Sequence, residues 1–125
     1  MADTLISTAQ IEIYDNNNIR IGYMKNEPKL YYKKTRYDID YINKAIAGSP
    51  IIPTIKNLNL IDDTIEYLAI ITNRSIKISI NGSNDLITVN GQLIISGTII
   101  TSVSVYNEDP DNDVKLEIIQ GDELI

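Results

Sequence analysis

Cysteine, histidine, tryptophan and phenylalanine are all missing from this chain of 125 residues. Each absence closes a class of chemistry. Without Cys there is no disulfide framework, thiolate nucleophile or Cys-ligated zinc. Without His there is no Ser-His-Asp or Cys-His relay, no imidazole ligand and no general base titrating near neutrality. Carboxylates remain, but an acid–base pair of them must face across a cleft, which spacing alone does not reveal. Asp62-Asp63 precede a strand and read as a turn. The expectation is a protein that is not an enzyme and carries no cofactor.

Long apolar runs are missing too. "MADTLISTAQ" has neither a basic start nor a continuous apolar core, so no secretory signal is expected. Residues 86–107, "LITVNGQLIISGTIITSVSVYN", carry no charge and are long enough to cross a bilayer. Polar side chains interrupt the run, and Asn90-Gly91 and Ser96-Gly97 read as turns, so no transmembrane segment is expected.

What is present favours sheet. Ile makes up about a fifth of the chain, and the aromatics are eight Tyr. Ile is stiff at χ1 and fits a pleated surface. Abundant Ile, Asn, Lys and Tyr also fits AT-rich codons. From residue 64 onward, "TIEYLAIIT", "SIKISI", "LITV", "QLII", "IITSVSVY" and "VKLEII" read as short strands. In "SIKISI", Ile76, Ile78 and Ile80 alternate with Ser75, Lys77 and Ser79. "NGSND" closes one hairpin, Asn90-Gly91 a second, and "SGT" turns the chain again. An acidic loop, "NEDPDND", precedes the last strand. Strands at this spacing suggest a mainly β fold, an antiparallel sandwich or jelly-roll-like domain over residues 61–125.

Residues 1–60 read as an N-terminal arm or hairpin, a short helix and an extended connector, making one compact unit with the rest. "QIEIYD" and "IRIGYM" flank "NNN" as a hairpin. "RYDIDYINKAIAG" fits two periods. Tyr37, Ile39 and Tyr41 alternate like a strand, whereas Tyr37, Tyr41 and Ala45 share a helical face. Thr35 with Asp38 resembles a capping box, Lys44 sits near the end, and Gly48 and Pro50 stop the run, which predicts a helix over about 36–47. Pro50 and Pro53 make "SPIIPTIKNLNLI" a connector.

No motif supplies a metal site. Asp109, Asp111 and Asp113 start like a calcium loop, but Val114 and Gln120 stand where that loop needs Gly and Glu, leaving only a weak cation site. Asn73-Arg-Ser and Asn81-Gly-Ser match the glycosylation pattern by chance in an Asn-rich chain. "KNEPKLYYKKTR" gathers Lys29, Lys33, Lys34 and Arg36 around Tyr31 and Tyr32. Such a patch can hold single-stranded nucleic acid, yet a net charge of −6 opposes a polyanion. A solvated face, or docking on an acidic protein surface, fits better.

Charge is split along the chain. Residues 1–60 carry 8 Lys/Arg and 6 Asp/Glu, and residues 61–125 carry 3 and 11. A mildly basic arm beside an acidic domain suits packing between copies, or simply solubility. The uncharged run would be a hazard on an open sheet edge. Its outward residues Thr88, Gln92, Ser102 and Ser104, polar but neutral, suit a surface covered by assembly.

"DTIEYLAIITNRSIKISING" followed by "ITVNGQLIISGTIITSVSVYNEDPDNDVKLEII" resembles the compact β-domains of small structural proteins in tailed-bacteriophage particles, over residues 64–119. The resemblance implies a virion component whose partners are other virion proteins and copies of itself. Its role would be capsid decoration or head association, with tail, neck or baseplate as alternatives. It carries no functional residue over. The rival class is a carbohydrate- or ligand-binding β-sandwich, with Tyr31-Tyr32 as the glycan platform.

Overall fold

The computed structural model describes residues 2–125, and every regular element among them is a β-strand. The first four are β1 (Asp3–Ile6), β2 (Ala9–Tyr14), β3 (Arg20–Asn26) and β4 (Lys29–Tyr32). β5 (Thr35–Ile42), β6 (Thr54–Asn57), β7 (Ile65–Thr72) and β8 (Ile76–Ile80) follow. The last four are β9 (Ile87–Val89), β10 (Gln92–Ile100), β11 (Val103–Asn107) and β12 (Val114–Gly121). All pairings are antiparallel. One four-stranded sheet has the order β10-β7-β12-β5 and a second the order β6-β11-β8-β9, while β1 pairs with β4 and β2 with β3.

The two four-stranded sheets share one hydrophobic core. Ile42, Leu68, Ile70, Leu116 and Ile118 from the first meet Ile76, Ile78, Val89, Val103 and Val105 from the second. Alternation explains the membership: Val114, Leu116 and Ile118 are buried and the residues between them are not. Each such buried side chain contributes about 1.5–3 kcal/mol of transfer free energy. Strands from before residue 60 are built into both sheets, β5 at the edge of the first and β6 at the edge of the second. The Pro-bounded connector thus contributes an edge strand, where a missing N–H costs no ladder bond.

The helix expected over 36–47 is absent. Residues 35–42 are instead β5, paired with β12 from Ile42 opposite Val114 to Thr35 opposite Gly121. The capping box dissolves into tertiary contacts: the Thr35 N–H and hydroxyl both donate to the Asp3 carboxylate, at 2.9 and 3.0 Å. Asp38 is held by Arg36, and Asp40 by Lys56 from β6. Period two prevailed because an eight-residue ladder against β12 pairs the inward-facing edge of the strand along its whole length, and an isolated helix of this length is marginal in water.

Two turn assignments also change. Asn90-Gly91 does not close a hairpin, because β9 pairs with β8 and β10 with β7. The turn passes the chain between sheets, with Gly91 at φ 90° and its carbonyl accepting the Thr72 N–H at 2.9 Å. "SGT" lies inside β10 as an irregularity around Gly97 (φ 82°), and the chain changes sheet only at Thr101-Ser102. The other Asn-Gly pair does reverse the chain. Asn81 (φ 54°) and Gly82 (φ 71°) form a type I′ turn closed by Ser83 N–H to Ile80 O at 3.0 Å. Asn81 Oδ1 also accepts the Thr101 N–H, tying that turn to the corner where β10 becomes β11.

Candidate functional site: a projecting ribbon and an uncovered sheet face

β1 with β2, and β3 with β4, form one long ribbon. Asp3 pairs with Tyr32 and Ile6 with Lys29, and the same register resumes at Ala9 opposite Asn26 and holds to Ile13 opposite Gly22. The Ser7 N–H to Pro28 O bond, at 3.1 Å, bridges the interruption. At about 3.3 Å per residue the ribbon is about 40 Å long. Its tip is set by Asp15, whose Oδ1 accepts the N–H groups of Asn17 and Ile19 at 2.8 and 3.0 Å. Its base is anchored on both sides. Beyond the β1 pairing, the Lys33 N–H donates to Glu123 O at 3.0 Å, and the Ile125 N–H donates to Tyr31 O at 2.8 Å.

Cross-strand partners share a face, so the register sorts the side chains. One face is mixed: most of its charges pair with one another, beside exposed Ile6, Tyr14 and Tyr23 and a Lys29 unpaired among the described residues. Glu12 meets Arg20 at 3.4 Å, Lys25 meets Glu27 at 3.0 Å, and the Arg20 guanidinium stacks 4.7 Å from the Tyr23 ring centre. The other face carries Leu5, Ala9, Ile11 and Ile13 opposite Leu30, Asn26, Met24 and Gly22. At the base this apolar face is packed: Leu5 and Tyr32 are buried with Tyr67, and Leu30 and Ala69 lie against them. Farther out nothing covers it, and Ile11, Ile13 and Met24 are 52%, 56% and 64% exposed. A lone two-stranded ribbon is marginal in water.

Tyr67 and Ala69 belong to the outer face of the first sheet, the side away from the shared core. The register places Ile71, Ile119, Ile39, Tyr37, Tyr41 and Ile94 on that same face. All six are exposed. The Tyr37 hydroxyl donates to Glu117 at 2.8 Å across the strands. The outer face of the second sheet is more polar, with Ser79, Ser104, Lys77 and Thr88 along it beside Tyr106 and Ile55.

The residues singled out from sequence scatter. Alternation in β4 sends Tyr31 outward and Tyr32 into the interior, at 1% exposure, so they form no joint platform. The basic residues have acidic partners: Lys33 with Glu123 at 2.8 Å, Lys34 with Asp62 at 4.0 Å, Arg36 with Asp38. Exposed pairs of this kind contribute little stability, but they cancel the local field a polyanion would feel. Lys29 lies on the mixed face of the ribbon opposite Ile6. Thr88 and Ser104 share the outer face of the second sheet, with the Ser104 hydroxyl donating to Asn57 at 2.7 Å. Gln92 stands on the first sheet opposite Ile71, and Ser102 at the corner between sheets. They form no single surface. The apolar ribbon face and sheet face were missed, although "QIEIY" and the alternation of Tyr37, Ile39 and Tyr41 carried the signal.

The acidic loop is organised by its own hydrogen bonds. Asp109 accepts the Asp111 N–H at 2.8 Å and the Asn112 side-chain amide at 3.0 Å, and Asp113 accepts the Lys44 N–H at 2.9 Å. Among the described residues no three acidic groups converge as metal ligands. The bond from the Asp111 N–H is the first cause holding the Asp109 carboxyl below its ordinary value of 3.8, with Asn112 adding to it. A carboxyl depressed in the folded state stabilises the loop above its unfolded pKa, and that contribution vanishes as pH falls through the folded value. The expected result is a loosening of this loop only below the usual carboxylate range. An NMR titration of the Asp111 amide checks it, and an inflection at or above 3.8 would contradict the assignment.

A concavity lined by Asn73, Arg74, Ile76, Lys77, Tyr106 and Glu108 is open to solvent, with a Lys77–Glu108 ion pair at 3.0 Å in its wall. No helix among the described residues is long and apolar enough to cross a membrane. No family model, curated protein or solved structure matches the chain.

Proposed function

We propose that this chain is a non-enzymatic structural protein that works by assembling, with its two four-stranded sheets forming a sandwich and its ribbon serving as an assembly arm. The observation that carries this reading is the ribbon: its second face is apolar, packed against the first sheet at its base and bare toward its tip, while most charges of the mixed face pair among themselves. Uncovered apolar strand pairs of this length are a liability unless a partner covers them. The sandwich is supported by the core that both sheets share. The sequence resemblance suggests a tailed-bacteriophage virion as the particle, in a decoration or head-associated position, with tail, neck or baseplate as alternatives. For the rival glycan-binding module, only Tyr31 of the expected tyrosine pair stands free.

The test is the native mass of the purified chain by light scattering over a concentration and salt series. A mass above that of the 14.0 kDa monomer, rising with concentration, is the expected result. A strict monomer throughout would overturn assembly from copies of this chain and leave a decoration protein that needs its particle, or a ligand-binding module.

A further inference from the structure

The structure leaves two apolar surfaces bare, and within one chain it already shows how they fit. At the ribbon's base, Leu5, Leu30 and Tyr32 lie on Tyr67 and Ala69, so this ribbon face and this sheet face form an existing packed contact. Beyond that contact the ribbon runs on past its own sheet, with Ile11, Ile13 and Met24 uncovered. The sheet also runs on without a cover, at Ile39, Ile71 and Ile119. Each surface is the continuation of one half of a contact the protein has already built.

We propose that the occupant of each bare surface is a second copy of this chain, the apolar face of one copy's ribbon lying on the outer face of the neighbour's first sheet. The inference rests on the assembly role proposed above and names its partner and its surfaces. Area agrees with it. A compact monomer of 14.0 kDa exposes about 6,700 Å². This chain exposes 8133 Å², about 1,400 Å² more. A standard interface buries about 800 Å² on each partner, so the surplus covers one ribbon-on-sheet contact given and one received. The contact joins two different surfaces, so it makes a pair of copies exchanging arms, a closed ring or an open series.

Two single substitutions on exposed positions separate the possibilities. Ile11→Lys spoils the ribbon face and leaves the sheet intact, and Ile71→Lys does the reverse. Circular dichroism and thermal unfolding close to those of the wild type establish that both variants fold. Light scattering should show each variant alone assembling at least about 30-fold more weakly than the wild type, as for loss of an interface hot spot. Mixed in equal amounts, the two should regain association, because the intact ribbon of the Ile71→Lys chain meets the intact sheet of the Ile11→Lys chain. If Ile11→Lys abolishes assembly and Ile71→Lys does not, ribbons pair with ribbons; the converse means that sheets stack. Either result overturns this inference and leaves the assembly role standing. Failure of the mixture to associate also overturns it. A wild-type chain that never associates removes this inference together with the self-assembling form of the role above.

Discussion

Replacing Tyr32 with alanine should destabilise the protein by about 3–4 kcal/mol, lowering the melting temperature by roughly 10–15 °C. The ring is 1% exposed and sits 6.0 Å from the Tyr67 ring at a 55° tilt. Beneath it lies Gly121, where an added Cβ would be 2.8 Å from the ring's Cγ. Gly121 therefore leaves room for the ring, and the ring fills what the glycine leaves. Removing the ring opens a cavity between the ribbon base and the first sheet, and the Leu5 contact is lost with it. Differential scanning calorimetry measures the loss, and limited proteolysis should find new cleavage near residues 28–34 as the ribbon comes free. Gly121→Ala, which puts a methyl group against the base of the ring, should cost about 1–3 kcal/mol by overpacking. A Tyr32→Ala variant within 1 kcal/mol of the wild type would show that the ribbon is not anchored by this ring.

Asn107→Asp should be worse than Asn107→Ala, although it is the closer match in shape. The Asn107 side chain is fully buried. Its amide nitrogen donates to Asn43 O and Asn112 O, both at 3.0 Å, and its oxygen accepts the Asp109 N–H at 3.0 Å. Alanine leaves those groups unpartnered, at about 2–3 kcal/mol. A carboxylate there faces carbonyl oxygens with no donor to offer and loses its water, so at neutral pH the cost should reach about 3–5 kcal/mol. The sign with pH is diagnostic. Burial and the carbonyls raise the folded pKa of the new carboxyl, so the penalty is full above that pKa and eases as pH falls through it. Urea unfolding at pH 7 and pH 5 checks both statements. Equal losses for the two variants at pH 7 would mean that water reaches this site.

Legibility from sequence followed how local each determinant is. The alternation in "SIKISI" and the Asn81-Gly82 reversal are complete within a few residues, and both survive into the fold. Asn90-Gly91 carries the same local signal, but β10 finds a long partner in β7, a choice made some twenty residues away. At residues 35–42 the boundary residues spelled helix while Tyr37, Ile39 and Tyr41 spelled strand. The eight-residue ladder with β12 decided between them, from about eighty residues away. The candidate site was half legible. "QIEIY" and "IRIGYM" announce a hairpin, but its extension through β1 and β4 depends on a register that spans Pro28. Tyr31 and Tyr32 look equivalent in "KLYYKK", and only the docking of β4 on Gly121 shows that one is interior.

The register shared from Asp3 to Ile13 also limits how such an arm can change over evolutionary time. Unless a bulge absorbs it, as one does between Ile13 and Tyr14, a single residue added to or deleted from one strand would turn every side chain beyond it on that strand to the opposite face, putting Glu12 where Ile11 now lies, or Lys25 where Met24 does. A regular ladder changes length without that inversion by two residues at a time on both strands together. The reach of a regular arm is thus adjustable in steps of about 7 Å, while substitutions on its mixed face meet no such restriction.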